Sequence, residues 1–96
     1  MPYPPRVVLH SLRGYRMELD AMVEEFLRDG VKLVAVVGQD CQRVEDIIDE
    51  LVVGRGDNDS RFLLTSSHPG ESVEDAVAFA QSLSEEYAGE ASVVSL

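Results

Sequence analysis

With 96 residues, and eighteen acidic side chains against eight basic ones, the chain has room for one domain and carries a formal net charge of −10. That balance argues against a nucleic-acid surface, which needs clustered cations to neutralise phosphates, and against docking on an anionic membrane. Hydrophobic residues at 45% and charged ones at 27% fit a folded chain rather than a disordered one, and one domain over 1–96 is expected.

Residues 1–5 carry three prolines and read as an irregular lead-in. Val7-Val8-Leu9 forms a short apolar strand that ends near His10 and Ser11. Gly14 breaks the pattern, and a helix follows from about Arg16 to Asp29. Its Leu19, Met22, Val23, Phe26 and Leu27 repeat at the spacing of one buried face. Gly30 stands where a helix C-terminal cap belongs. Val31 to Val37 is apolar on both alternating sets except at Lys32, the pattern of a strand covered by helices on both faces.

Gly38-Gln39-Asp40 turns the chain, with Asp40 placed to cap the next helix. That helix carries Val44, Ile47, Ile48, Leu51 and Val52 and stops at Gly54. Residues 55–60 form a polar loop, Phe62-Leu63-Leu64-Thr65 a third strand, and Ser66 to Glu71 another loop. Ser72 and Asp75 match an acidic variant of the capping box. Val73, Ala76, Val77, Ala80, Leu83 and Tyr87 make a third helical face that stops at Gly89. Ser92 to Leu96 alternates as an edge strand does.

The alternation β-α-β-α-β-α-β is that of an α/β domain with a mostly parallel four-stranded sheet and right-handed crossovers. Two strand orders fit: 2-1-3-4, as in flavodoxin-like sheets, and 3-2-1-4, as in half a dinucleotide-binding fold. The apolar second strand favours an interior place and hence 3-2-1-4, unless a partner subunit covers it.

Ligands of open parallel sheets bind beyond the carboxyl ends of the strands. His10, Ser11 and Arg13 lie at that end in either order. Asp40 stands there too, and Ser67 and His68 join if strand three neighbours strand one. Arg13, Arg16 and Arg43 stand at or before helix starts, where the dipole favours acids instead. With serine hydroxyls and helix amides they would suit an anionic metabolite or nucleotide. The simpler reading is ion pairing of Arg16 with Asp20, and of Arg43 with Asp40 or Asp46. His10 and His68, if they converged, could do acid–base work near neutral pH. A triad from Ser11 or Ser67 with a histidine lacks a Gly-x-Ser-x-Gly elbow.

Cys41 is the sole cysteine, so no intrachain disulfide forms, and nothing stands by to resolve an oxidised thiol. One cysteine and two histidines make no recognisable zinc site, so no metal and no cofactor are expected. The Gly54–Asp59 stretch begins like a dinucleotide fingerprint, but it follows a helix and lacks the last glycine. With no signal-peptide core or membrane-length apolar run, the expected location is cytoplasmic.

Residues 29–38 (Asp-Gly-Val-Lys-Leu-Val-Ala-Val-Val-Gly), 44–51 (Val-Glu-Asp-Ile-Ile-Asp-Glu-Leu) and 63–71 (Leu-Leu-Thr-Ser-Ser-His-Pro-Gly-Glu) resemble a family of small uncharacterised bacterial proteins labelled a domain of unknown function. The resemblance implies a bacterial α/β protein and brings no activity, cofactor or catalytic residue with it. The residues themselves lean away from an enzyme and toward an interaction or regulatory module. Its acidity would steer a basic protein partner. The expected state is a monomer, or a homodimer joined through a sheet edge.

Overall fold

The computed structural model describes residues 3–53, 63–82 and 91–96. Within them the elements run β1 Arg6–Ser11, α1 Glu18–Asp29, β2 Leu33–Gly38, α2 Cys41–Val53, β3 Leu64–His68, α3 Val73–Gln81 and β4 Ala91–Ser95. Every strand pairing is parallel, and the order across the sheet is β3-β2-β1-β4. Of the two orders open to the sequence, 3-2-1-4 is the one formed.

The interior strands are the ones apolar on both faces. Val7, Val8 and Leu9 of β1 and Leu33 to Val37 of β2 are each exposed by 1% or less. On one side, Val7, Leu9, Val34 and Val36 pack against Leu19, Val23 and Phe26 of α1 and Val44 and Ile48 of α2. On the other, Val8, Leu33, Ala35 and Val37 meet Ala76 and Ala80 of α3. Alanines at that contact let the α3 backbone lie close to the sheet. Arg6, buried at the start of β1, donates from Nη1 to the Ala80 carbonyl in the last turn of α3. A cation there complements the negative end of the helix dipole.

The boundaries differ from the sequence reading for identifiable reasons. Residues 16 and 17 are spent on a tighter turn, with Leu19 N–H donating to the Arg16 carbonyl at 2.9 Å and Asp20 N–H to Met17 at 3.2 Å. The helix proper therefore begins at Glu18, not Arg16. At its end Gly30 adopts φ +81, and Val31 N–H reaches back to the Phe26 carbonyl at 2.9 Å. This cap closes the helix and withholds Val31 from β2, which starts at Leu33. The third strand is displaced by more. It runs Leu64–His68, so Ser66, Ser67 and His68 are strand residues rather than loop.

Ser72 caps α3 as its sequence foretold. Its hydroxyl accepts the Asp75 N–H at 3.1 Å, and Asp75 Oδ2 accepts the Ser72 N–H at 3.3 Å. Ser72→Ala is expected to lower stability by about 1 kcal/mol, read as a shift of the urea midpoint at unchanged slope. The helix ends at Gln81, and Ser82 N–H bonds to the Ala78 and Phe79 carbonyls. Leu83, Tyr87 and Gly89, like Gly54, the polar loop at 55–60 and Phe62, fall outside the described residues.

Candidate functional site

The carboxyl ends of the strands form one rim, and its loops are tied together by backbone. Ser11, 1% exposed, uses its hydroxyl to accept the Gly14 N–H at 3.1 Å. Its carbonyl accepts the Gln39 N–H at 2.9 Å, joining the loop after β1 to the turn after β2. That turn needs Gly38 at φ +104 and holds Asp40 at φ +52. Asp40 then starts α2 with its carbonyl, which accepts the Val44 N–H at 2.9 Å. Its Oδ2 lies against Gly14, only 3.0 Å from the place a Cβ would occupy there.

Among the described residues, two hollows open on this rim. One, of ≈ 290 Å³, lies between the turns after β2 and β3 and is lined by Gly38, Asp40, Cys41, Gln42, Arg43, Pro69 and Gly70. The other, of ≈ 270 Å³, is lined by Arg16, Glu18, Met22, Ser95 and Leu96. The second lies between the start of α1 and the end of β4, close to the place where the chain leaves β1 toward β2 on one side and β4 pairs on the other. This is the divergence point at which open parallel sheets bind ligands.

The residues singled out from sequence are therefore divided. Asp40 and Arg43 line the first hollow and Arg16 the second. Arg13 is exposed on the loop after β1. His10 is half-buried beside Gly38, its Cδ2 3.1 Å from where a Cβ would stand there. Strand three does not neighbour strand one. His10 and His68 stand level on either side of Val37, which puts their Cα atoms about 10 Å apart. Ser67 points to the opposite face of β3 from His68 by strand alternation.

His68 has its own partners, which sequence reasoning missed. Its Nε2 is 2.9 Å from Ser66 Oγ and its Nδ1 3.1 Å from Glu71 Oε2, while the ring packs on Phe79 at 4.7 Å between centroids. Ser66 and His68 share a face because they are two apart in a strand. Extending the third strand three residues in the sequence would have revealed the pair. The order serine–histidine–carboxylate is that of a hydrolytic triad. Here, however, Ser66 lies mid-strand, and neither hollow borders it. The contact braces the tight turn His68-Pro69-Gly70-Glu71, closed by Glu71 N–H on the His68 carbonyl at 3.2 Å with Gly70 at φ +75. That turn is one wall of the first hollow.

Arg16 pairs with Glu18 at 3.2 Å, not with Asp20, which accepts the Tyr15 hydroxyl at 3.1 Å. The Tyr15 pKa is raised chiefly by that bond. Glu18 accepts its own backbone N–H and, second in weight, the Arg16 guanidinium; both hold its pKa below the ordinary 4.5. A carboxylate with a depressed folded-state pKa stabilises above its unfolded pKa, and that contribution is lost as pH falls through the folded value. Glu18→Gln should therefore reduce stability at neutral pH, and the gap to the parent should close below the carboxylate range. Denaturation midpoints of the two chains across an acid titration check this.

Among the described residues Arg13 and Arg43 make no ion pair, and no group of histidine, cysteine and carboxylate side chains is arranged to hold a metal. No described helix is long and apolar enough to cross a membrane.

Comparison with known proteins adds the family. No curated protein and no solved structure matches the chain. Residues 6–96 match a family model described as a domain of unknown function, DUF7684. That match begins with the first residue of β1 and takes in every strand and helix described above, so the chain belongs to the DUF7684 family.

Proposed function

We propose that the domain is a non-catalytic protein-interaction module that docks a partner on the loop between β1 and α1 and the hollow beside it. The observation that supports this reading is the exposure of Leu12, Tyr15 and Met17 at 55, 37 and 81%. Three large apolar side chains fall within six consecutive residues, and grouped exposed apolar residues mark interaction surfaces. Arg16 of that stretch lines the adjacent hollow with Met22 and Leu96, and its Leu12 N–H bonds to the Leu96 carbonyl. Glu18 and Asp20 follow in the first turn of α1. The fitting partner presents apolar side chains flanked by basic ones, and the net charge of −10 speeds its approach. Ser11 and His68 are engaged in holding turns, which favours binding over catalysis at this rim.

The test uses the whole chain as bait in extract of its own host, with Leu12→Ser/Met17→Ser as the comparison. A partner captured at low salt, weakened by salt and lost from the variant at unchanged melting temperature supports the reading. Equal capture by the variant overturns it.

A second reading places an anionic metabolite or nucleotide in the hollow lined by Arg43. It is favoured by that guanidinium's lack of an ion pair among the described residues and by its place in the first turn of α2. It is opposed by the Asp40 carboxylate in the same hollow. A screen of nucleotides and sugar phosphates should raise the melting temperature for at least one compound in the parent and for none in Arg43→Ala.

A further inference from the structure

The two edges of the sheet differ in charge. At the β3 edge, Thr65 Oγ1 lies within hydrogen-bond distance of two α2 carboxylates, Glu45 at 3.1 Å and Asp49 at 2.5 Å. Two copies meeting there would press carboxylates together. At the other edge, β4 reads Ala91-Ser92-Val93-Val94-Ser95 and has no ionisable side chain. It has neither the lysine nor the proline with which edge strands commonly prevent pairing. Its Val93 is 46% exposed.

The hydrogen-bonding register of β4 carries the argument further. Leu96 N–H donates to the His10 carbonyl at 3.0 Å, and the Leu96 carbonyl accepts the Leu12 N–H at 3.3 Å. In a parallel ladder a residue's N–H and C=O point to the same side, and successive residues alternate. Leu96, Val94 and Ser92 therefore face β1, leaving the N–H and C=O groups of Ala91, Val93 and Ser95 directed away from it, to an edge where no described strand pairs. This outward set is symmetric about Val93.

We propose that β4 is a homodimerisation edge, at which two copies pair antiparallel about a two-fold axis through Val93. Val93 then lies opposite Val93 of the second copy, and Ala91 lies opposite Ser95 in both directions. Each is a narrow pair that exchanges both bonds, giving about six hydrogen bonds and a continuous eight-stranded sheet. The two valine side chains face each other on the α3 side of that sheet. On a chain of net charge −10, this uncharged edge is where a second copy meets least repulsion. The inference rests on observations other than those behind the docking loop proposed above, although Ser95 belongs both to this edge and to the hollow beside that loop.

Sedimentation equilibrium over about 1 µM to 1 mM reads the mass directly. The parent is expected to approach twice the 10.6 kDa of one chain. Val93→Pro deletes an outward donor and none of the bonds to β1, so it should remain a folded monomer by circular dichroism. Val93→Lys keeps the N–H and places like charges across the axis, and it too should be monomeric. Thr65→Lys, on the other edge, should still dimerise. In the parent, amide exchange at Ala91, Val93 and Ser95 should slow by about tenfold or more as concentration rises. A parent that stays at one chain mass throughout overturns the proposal, as does dissociation by Thr65→Lys or dimerisation of Val93→Lys.

Discussion

Gly38→Ala is expected to be among the most damaging single substitutions in the domain, lowering stability by on the order of 3–5 kcal/mol. Two causes add. The residue sits at φ +104, where side chains with a Cβ are strained, and the new atom would stand 2.4 Å from the Ser11 carbonyl oxygen. That oxygen cannot swing away, because it accepts the Gln39 N–H at 2.9 Å and belongs to the strand that anchors the sheet. A domain of this length loses about 4–8 °C in melting temperature per kcal/mol, so the variant should melt about 12–40 °C lower or fail to accumulate. Gly70→Ala is the control. Its φ of +75 is similarly unfavourable, but nothing lies within 4 Å of its missing Cβ. Strain alone should cost about 1–2 kcal/mol there. Equal losses at the two positions would mean that the close approach of the β2 turn to Ser11 is not what makes Gly38 necessary.

Phe26→Ala should rank beside it, at about 3–5 kcal/mol. Phe26 is fully buried on α1 in the layer shared with α2 and the sheet. Its ring also meets Tyr3 edge to face, with centroids 4.7 Å apart at 80°. Tyr3 is held further by its N–H on Asp29 Oδ2 at 3.1 Å and its hydroxyl on Glu25 Oε2 at 3.3 Å. Burial first, and Glu25 second, raise the Tyr3 pKa above 10. Removing the Phe26 ring therefore opens a cavity and unseats the segment ahead of β1. A double-mutant cycle of Phe26→Ala with Tyr3→Ala, followed by urea denaturation, should return a coupling of about 0.5–1.5 kcal/mol. Additive losses would show that the two rings are energetically independent.

The fold was readable wherever burial leaves a pattern in the residues. The unbroken apolar run through Val37 marked an interior strand, and Gly30 and the Ser72–Asp75 pair marked helix ends by local chemistry. Legibility failed at β3, where the apolar run stops at Leu64 while the strand continues through Thr65, Ser66 and Ser67. Two of those hydroxyls have partners that residue order does not reveal: Glu45 and Asp49 on α2 for Thr65, and His68 for Ser66. The rim was legible as a place but not as a set of contacts. Ser11 reads as a free hydroxyl in sequence, and it is buried on the Gly14 N–H. Arg16 seemed destined for Asp20, but the tight turn at 16–17 delivers it to Glu18.

The central place of β1 sets a timetable for assembly. One side of the strand zips to β2, with Arg6 level with Leu33, while the other waits for β4, with Arg6 level with Ala91. A chain emerging from the ribosome presents β1 early and the strand that completes it late. Throughout that interval the backbone groups of Arg6, Val8 and His10 stand unmatched along a greasy ribbon. Such distant closures slow folding, and exposed strand edges invite rival pairings before the rightful one arrives. The same architecture that encloses β1 between two neighbours at the finish leaves it vulnerable on the way there.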